Sequence, residues 1–203
     1  MHRLIRIIFF IRYPKSIVSF FKNWIDYSYL KYYGVETKFG YVKLLGFPII
    51  QKYNNSRIVI GKGVTIISKS KYNIAGINHP SILATLSSEA MIKIGDKSGF
   101  SGVTICANKK IEIGKNVGIG ANSNLYDTDF HIIDPIQRMN NNGIIKSAPI
   151  FINDNVWIAS DVTILKGVTI GKDSVIGACS VVTKSIPSGE LFAGNPAKKI
   201  KTI

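Results

Sequence analysis

Aliphatic residues recur at every sixth position through the C-terminal third of the chain. The series continues in one unbroken phase and consists of Ile152, Ile158, Ile164, Ile170, Ile176 and Val182. An α-helix would scatter such residues around its circumference, and a simple alternating strand does not require glycine or asparagine at a fixed offset. A period of six instead predicts a solenoid. In such a fold three units form one triangular coil of short parallel strands, and the aliphatic side chains stack inside.

Shorter pieces of the same pattern occur earlier, from about Arg57 onward, and the pattern ends at about Pro187. These pieces are separated by phase breaks and begin at Ile60, Ile94 and Ile113, each of which is followed by glycine. Glycine and asparagine recur between the aliphatic positions. We expect these residues at the corners of the coil, because corners require backbone dihedral angles that most residues avoid.

The N-terminal segment, residues 1–33, is basic and aromatic and has helical spacing. We expect two short helices broken near Pro14. One helical face collects the large apolar side chains Ile17, Phe20, Phe21, Trp24 and Ile25. This face either packs against the domain or a neighbouring subunit, or it lies on anionic lipid. In the lipid interpretation the contacts come from the basic residues Arg3, Arg6, Arg12, Lys15 and Lys22.

Neither a membrane span nor a signal peptide is expected in this segment. The longest apolar run, from Ile7 to Ile11, is far shorter than the about 20 residues that a spanning helix needs. No small-residue cleavage site of the kind that ends a signal peptide follows it. We therefore expect a cytoplasmic protein, either free or peripheral at the inner face of a membrane through residues 1–24.

Composition narrows the classes of function. The chain has 203 residues, of which 46% are hydrophobic and 19% charged, as is typical of one folded domain. Its formal net charge of +14 favours nucleic acid, an anionic membrane face or a phosphate-bearing small molecule as partner. Nucleic acid is not expected, because zinc-finger spacing, a basic heptad helix and an aromatic RNA-binding motif are all missing. The two distant cysteines, Cys106 and Cys179, predict reduced thiols rather than disulfides or a zinc site.

His131 is the strongest candidate for catalysis among the three histidines. His2 is terminal, and His79 lies in an irregular stretch between repeats. His131 ends the run 125–131, where the six-residue phase stops and an irregular loop, residues 132–149, begins. Rigid scaffolds often carry function on such loops. Imidazole, with an unperturbed pKa of about 6.5, is suited to general-base catalysis near neutrality.

Two further features lie near this point of the sequence. Asp127 and Asp129 precede His131, and either one fixes the imidazole tautomer, or both merely cap the turn. Trp157 occupies an outward-facing position of an otherwise regular repeat. It either contacts an acyl donor or packs under the loop 132–149.

The repeat, together with the run Asp-Thr-Asp-Phe-His, resembles the hexapeptide-repeat acyltransferases, in particular the saccharide and capsule O-acetyltransferases. The resemblance covers residues 57–200. It implies a mainly β chain in which residues 34–200 form a left-handed parallel β-helix, with a protruding loop at 132–149, after the N-terminal helical segment. It also implies acetyl-CoA as cosubstrate, no metal, and a homotrimer with its sites between adjacent subunits.

The resemblance also implies roles for individual residues. The expected catalytic residues are His131 as general base, Asp129 as its partner, and Trp157 beside the acyl donor. Acceptor binding falls to Asp127 and Tyr126. Coenzyme A contacts are expected at small, hydroxyl-bearing or basic residues, namely Ala159, Ser160, Ala178, Thr183, Lys184, Lys198 and Lys201.

The expected reaction is transfer of an acetyl group from acetyl-CoA to a hydroxyl of a saccharide or saccharide precursor. The attack is direct, without a covalent intermediate on a cysteine. The alternatives are acetylation of an amino group of a nucleotide sugar, of serine or of a xenobiotic, and a non-catalytic β-helix used as a binding or assembly subunit. A zinc enzyme of the same fold would need three histidine ligands, which the repeat region does not supply.

Overall fold

The structure, a computed structural model, describes residues 15–203, with side chains from Ile17 onward. The first of the two predicted helices, with Arg3, Arg6 and Arg12, lies outside the described residues. The second predicted helix is present as α1, Lys15–Tyr32. The described residues also contain a 3₁₀ turn, Ser70–Tyr72, and a short helix, α2, Pro135–Met139.

Residues 15–203 also contain nineteen short strands. In chain order they are β1 Val42–Leu45, β2 Ile49–Gln51, β3 Arg57–Ile60, β4 Val64–Ile67, β5 Ile82–Thr85, β6 Met91–Ile94, β7 Gly99–Ser101, β8 Thr104–Ala107, β9 Lys110–Ile113, β10 Gly118–Ile119, β11 Asn124–Tyr126, β12 Ile150–Ile152, β13 Trp157–Ile158, β14 Thr163–Leu165, β15 Thr169–Ile170, β16 Val175–Ile176, β17 Val181–Val182, β18 Glu190–Ala193 and β19 Lys198–Thr202.

The strands form the three faces of a triangular solenoid. An eight-stranded sheet has the order β1-β4-β7-β10-β13-β16-β18-β19, a six-stranded sheet the order β17-β14-β11-β8-β5-β2, and a five-stranded sheet the order β15-β12-β9-β6-β3. Neighbouring strands are parallel, except that β18 and β19 are antiparallel. From β1 to β18, successive strands belong to different sheets, and from β1 to β15 three strands make one coil. The predicted parallel β-helix is confirmed.

The predicted aliphatic column forms the core of this solenoid. Its members are each no more than 2% exposed, and they are Ile152, Ile158, Ile164, Ile170, Ile176 and Val182. Strand register explains the stacking, because Ile113, Ile152 and Ile170 are direct partners on three neighbouring strands. Full burial of one such side chain stabilises the fold by roughly 1.5–3 kcal/mol.

The corners carry the residues that the pattern predicts. Asn116, Asn155 and Asp173 occupy one corner in three successive coils, with φ angles of 54°, 60° and 60°. Asn116 Nδ2 donates to Asn155 Oδ1 at 3.3 Å, and Asn155 Nδ2 donates to Asp173 Oδ1 at 2.9 Å. Short polar side chains tolerate the left-handed conformation. Here they also bond from coil to coil, which the six-residue period alone does not reveal.

The helix α1 closes the end of the solenoid that begins with β1. Leu30 is fully buried there, and Asp26 is 3% exposed. The Leu44 amide donates to Asp26 Oδ2 at 3.0 Å, and Lys22 Nζ donates to the same oxygen and to the Leu44 carbonyl. Within residues 15–203, no helix combines the length and apolarity needed to cross a bilayer.

The predicted apolar face of α1 lies on the side of the helix that faces away from the solenoid. All five of its members are exposed: Ile17, Phe20, Phe21, Trp24 and Ile25. The interpretation that this face packs against the chain's own domain is therefore wrong, because Asp26 and Leu30 occupy the docking side.

A long excursion separates β11 from β12, as expected for the loop 132–149. It contains α2, whose first turn is capped by Asp134: the Gln137 amide donates to Asp134 Oδ1 at 2.8 Å. Most side chains of this loop are exposed. The loop leaves the solenoid immediately after Asp127 and so places His131 beyond the C-terminal end of β11, a strand in the interior of the six-stranded sheet.

Candidate active site

An unusual turn of the backbone presents His131. The His131 amide donates to the Asp129 carbonyl at 2.7 Å, which closes a three-residue γ-turn around Phe130. Phe130 has a φ angle of 62°, in the left-handed region that bulky residues rarely adopt. A γ-turn of this hand is rare and strained. Such strain persists only where the surrounding structure imposes it, and it clusters at functional sites.

Contacts on both sides hold this turn in place. The rings of Tyr126 and Phe130 pack edge to face, with centroids 5.3 Å apart. Tyr126 Oη donates to Asn124 Oδ1 at 2.9 Å, and burial raises the pKa of Tyr126 above its usual value. The Tyr126 phenol is therefore neutral at physiological pH. The Asp129 amide donates to the Lys146 carbonyl at 3.1 Å, which ties the turn to the returning end of the loop.

Asp129 forms an ion pair with Lys166 rather than a hydrogen bond with the imidazole. Lys166 Nζ contacts Asp129 Oδ1. The other oxygen, Asp129 Oδ2, is buried and has no hydrogen-bond partner among the described residues. An unpaired buried acceptor typically costs about 1–3 kcal/mol. The predicted contact between Asp129 and His131 is not formed here, but Asp129 retains an open acceptor two residues away.

Asp127 is buried in the solenoid, although it was expected to bind the acceptor. Its side chain is fully buried, and three main-chain amides of the preceding coil donate to it: Asn108 to Oδ1 at 2.6 Å, and Lys109 and Lys110 to Oδ2 at 2.7 and 2.8 Å. Both oxygens are thus occupied and shielded from solvent. The prediction that Asp127 contacts the acceptor is wrong, and Asp127 does not cap its own turn either, because its three donors lie 17 to 19 residues earlier in the chain.

The titration of Cys106 argues against a cysteine nucleophile. Burial, with a smaller contribution from the charge of Asp127, raises the pKa of Cys106 to about 11. This thiol is protonated at neutral pH, and a protonated thiol is a weak nucleophile. Within residues 17–203, no group of three or more His, Cys, Asp or Glu side chains is arranged to hold a metal ion.

Trp157 projects into solvent from the eight-stranded sheet. Its side chain is 62% exposed. It pairs in register with Gly118 on one side and Val175 on the other. A Cβ on Gly118 would lie 3.8 Å from Trp157 Cδ1, so the indole ring lies against the bare backbone of β10. The alternative that Trp157 packs under the loop 132–149 is wrong within this chain.

Three of the predicted coenzyme A contacts lie along one edge of the solenoid, where the eight-stranded sheet turns into the six-stranded sheet. The Ala159 amide donates to the Ile176 carbonyl at 2.9 Å, and the Cys179 amide donates to the Ser160 carbonyl at 3.0 Å. The corners after β13 and β16 are therefore stacked, with Ala159 and Ser160 beside Ala178 and Cys179. We call these four residues the small-residue edge.

The basic residues occupy two other places. Lys198 and Lys201 are exposed on β19, which belongs to the same sheet as Trp157. Three strand spacings, about 14 Å, separate β13 from β19. Thr183 and Lys184 are exposed at the corner after β17, at the far side of the six-stranded sheet from the small-residue edge. The structure does not bring Thr183 and Lys184 to that edge within one chain.

The two catalytic candidates also lie apart. His131 follows the end of β11, in the six-stranded sheet, whereas Trp157 begins β13, in the eight-stranded sheet. One chain therefore presents the imidazole and the indole on different faces of the triangular solenoid.

Two features near His131 were missed by sequence reasoning. Lys166, the partner of Asp129, stands 18 residues before Lys184, at the same corner one coil earlier. Counting by three units of six would have placed it beside the loop. The left-handed conformation of Phe130 has no signal in the sequence, because aromatic residues are not expected there.

Comparisons with known proteins agree with this geometry. Residues 149–184 match the family model described as bacterial transferase hexapeptide (six repeats). The chain is 47% identical over 93 residues to a protein of Dictyostelium discoideum named as an inferred acetyltransferase, covering 46% of this chain and 47% of that protein. It is 34% identical over 101 residues to the galactoside O-acetyltransferase of Escherichia coli, covering 50% and 48%. The chain thus spans about half the length of the curated relatives it matches.

The match to one of the solved structures extends over a larger share of the relative's length. This relative is a hexapeptide-repeat acetyltransferase of Vibrio cholerae in complex with acetyl coenzyme A, which is 32% identical to this chain, with a TM-score of 0.53. The likeness covers 60% of this chain and 67% of that one. The family match also confirms the fold class, a mainly β chain that forms a left-handed parallel β-helix. The six-residue repeat, the triangular coils and the match to the Vibrio enzyme all indicate the same family. The chain therefore belongs to the hexapeptide-repeat acetyltransferases.

Proposed function

We propose that this protein transfers an acetyl group from acetyl-CoA to a hydroxyl of a saccharide or saccharide precursor. The observation that carries the proposal is the exposed His131, held on a strained turn beside an ion-paired aspartate. The galactoside O-acetyltransferase among the relatives supports a sugar hydroxyl as acceptor, and the acetyl-CoA complex of the Vibrio enzyme supports the donor.

His131 acts as the general base in this proposal. A sugar hydroxyl is a poor nucleophile, so the imidazole takes its proton as the oxygen attacks the thioester carbonyl carbon. The resulting oxyanion collapses, the carbon–sulfur bond breaks, and the imidazolium returns the proton to the departing thiolate. Asp129 stabilises the imidazolium through its unpartnered Oδ2, while Lys166 holds the carboxylate in place. Tyr126 and Phe130 form an apolar wall against which a sugar ring can pack.

The donor lies along the exposed side of the eight-stranded sheet in this proposal. Trp157 contacts the acyl end, and the small-residue edge lets the thin pantetheine arm approach the backbone closely. Lys198 and Lys201 meet the phosphates, and Thr183 and Lys184 contact the donor held by a neighbouring copy. Because His131 and Trp157 lie on different faces, a complete site needs two chains, which favours a homotrimer with three shared sites.

The proposed location is the cytoplasm, where acetyl-CoA is available and thiols stay reduced. The two cysteines of the described chain are both free, in agreement with a reducing compartment.

The test is thiol release from acetyl-CoA against a panel of sugars, sugar nucleotides, serine and chloramphenicol. Wild type should release thiol only with a hydroxyl-bearing sugar acceptor. The His131→Ala variant should lose at least about 10²-fold in kcat and keep its affinity for coenzyme A, because a general base acts on the acceptor.

The His79→Ala variant is the matched histidine control, because His79 Nδ1 is engaged with the Pro80 carbonyl at 2.8 Å and has no role in the proposed proton transfer. Full turnover by His131→Ala would remove His131 from the mechanism. If only amino-bearing acceptors are acetylated, the acceptor group is an amine and the proposed hydroxyl acceptor is wrong. If calorimetry shows no binding of coenzyme A, the result would favour the alternative that the protein is a non-catalytic β-helix used as a binding or assembly subunit.

A further inference from the structure

The helix α1 carries an apolar surface that nothing in the described chain covers. Its side chains are 39–60% exposed, although they are among the largest apolar residues of the protein. They are Ile17, Val18, Phe20, Phe21, Trp24 and Ile25. Together with Phe39 we call them the apolar patch. Phe39 belongs to it because its ring contacts those of Phe20 and Tyr27, with centroids 5.5 and 6.0 Å apart.

The patch lies on the side of α1 opposite to the one that docks. Ile17 and Asp26 are nine residues apart, which is about 180° around a helix of 3.6 residues per turn. Asp26 and Leu30 are buried against β1, and Tyr29 Oη donates to the Pro48 carbonyl at 2.6 Å. These contacts fix the rotation of α1, so the apolar side is held away from the solenoid.

The exposed charged side chains that α1 presents near the apolar patch are all positive. Asp26 is the one acidic residue between positions 15 and 32. It is buried, and Lys22 neutralises it. Lys31 follows Trp24 by seven residues and so lies on the same side of the helix, exposed. Lys38, next to Phe39, is exposed as well.

Charge decides which partner fits. A second copy of this chain would bring further positive charge toward Lys31 and Lys38, since each copy has a net charge of +14. An anionic lipid surface instead offers hydrocarbon to the aromatic side chains and phosphate to the lysines. A helix with Trp and Phe on one face and lysines at its border is typical of interfacial binding. Each basic residue near an anionic surface adds to the attraction.

We propose that α1 docks this protein on an anionic membrane surface through the apolar patch, with Lys31 and Lys38 against the headgroups. The docking side and the membrane side are opposite faces of one helix, so binding requires no rearrangement of the solenoid. The inference is independent of the acceptor and of the acetyl transfer itself.

Co-sedimentation of the full chain with vesicles tests the proposal. Wild type should bind vesicles containing phosphatidylglycerol and stay unbound with pure phosphatidylcholine. Phe21→Ser should weaken partitioning about tenfold or more, because a large apolar side chain no longer inserts. Ile74→Ser, at a fully exposed position far from α1 in sequence, is the control and should bind as wild type does.

Tryptophan fluorescence gives a second readout. The chain has two tryptophans, so in a Trp157→Phe background the emission comes from Trp24 alone. It should shift to the blue with anionic vesicles and not with neutral ones.

Three results would overturn the inference. They are absence of wild-type binding to anionic vesicles, equal binding of wild type and Phe21→Ser, and a fall in the molar mass of the assembly in Phe21→Ser measured by light scattering. The last would mean that the patch lies between copies of the chain.

Discussion

Lys166 connects the candidate base to the rigid part of the molecule. It stands on a corner of the solenoid, and its ammonium holds Asp129 at the start of the γ-turn that carries His131. Main-chain hydrogen bonds anchor the loop as well: the Gly167 amide donates to the Ala148 carbonyl at 3.0 Å, and the Asp129 amide donates to the Lys146 carbonyl at 3.1 Å. The ion pair adds a side-chain contact between this corner and the turn that presents the imidazole.

Replacing Lys166 with methionine should reduce kcat by up to about 10²-fold, because a small displacement of the base is enough to lose alignment with the acceptor. The KM for acetyl-CoA should change less than kcat, since the Lys166 ammonium is already engaged in the ion pair with Asp129. Steady-state kinetics with both substrates varied provides the measurement. Lys172→Met is the control, because Lys172 is exposed and pairs only loosely, at 3.6 Å, with Asp173. A wild-type kcat in Lys166→Met would contradict the positioning role.

At the scale of elements, the stacked corners form the edge along which we propose that the donor lies. Ala159, Ser160 and Ala178 carry short side chains where two sheets meet, and Cys179 completes that edge with a φ angle of 59°. Cys179 is exposed, while Cys106 is largely buried on β8. The two thiols therefore report on different parts of the fold.

Thiol modification tests whether the small-residue edge holds the donor. With a chromogenic disulfide reagent at neutral pH, Cys179 should react quickly. Cys106 should react slowly, because its pKa of about 11 leaves little thiolate. Coenzyme A should protect Cys179 and leave the rate of Cys106 unchanged, and Cys179→Ser should lose the fast phase. Modification of Cys179 at the same rate with and without saturating coenzyme A would move the donor away from this edge.

At the scale of the whole molecule, the proposed mechanism needs more than one chain, because His131 and Trp157 lie on different faces of the solenoid. The eight-stranded sheet presents the indole, and the loop after β11 presents the imidazole on another face. A cyclic assembly brings one face of each copy against a different face of the next. Each site then takes its base from one chain and its donor surface from the neighbour.

Mixed assemblies test this directly. His131→Ala and Trp157→Ala should each be nearly inactive alone. When the two are unfolded, mixed in equal amounts and refolded, about one quarter of the sites should combine an intact His131 with an intact Trp157 from different chains. Activity of the mixture should therefore recover to about a quarter of wild type. An inactive mixture whose mass by light scattering is that of an assembly would place both residues of each site in one chain.

Much of this architecture can be inferred from the order of residues alone. The six-residue period repeats the same local requirement, an aliphatic side chain inside and a tight corner after it, so the coil, its core and its corner residues follow from neighbours in the sequence. The same regularity made the loop stand out, because the phase stops at His131. The six-residue repeat is less complete in the first coil, β1 to β3, than in the later ones, because that coil packs against a helix on one side.

The remaining features depend on contacts between residues far apart in the chain. Asp127 is a buried cap because amides 17 to 19 residues earlier stack against it, and Lys166 reaches Asp129 across 37 residues. The face of α1 that docks is chosen by Asp26 and Leu44, 18 residues apart, and not by the apolar pattern of the helix. A local pattern records which side chains avoid water. Which of them find a partner depends on how the coils stack.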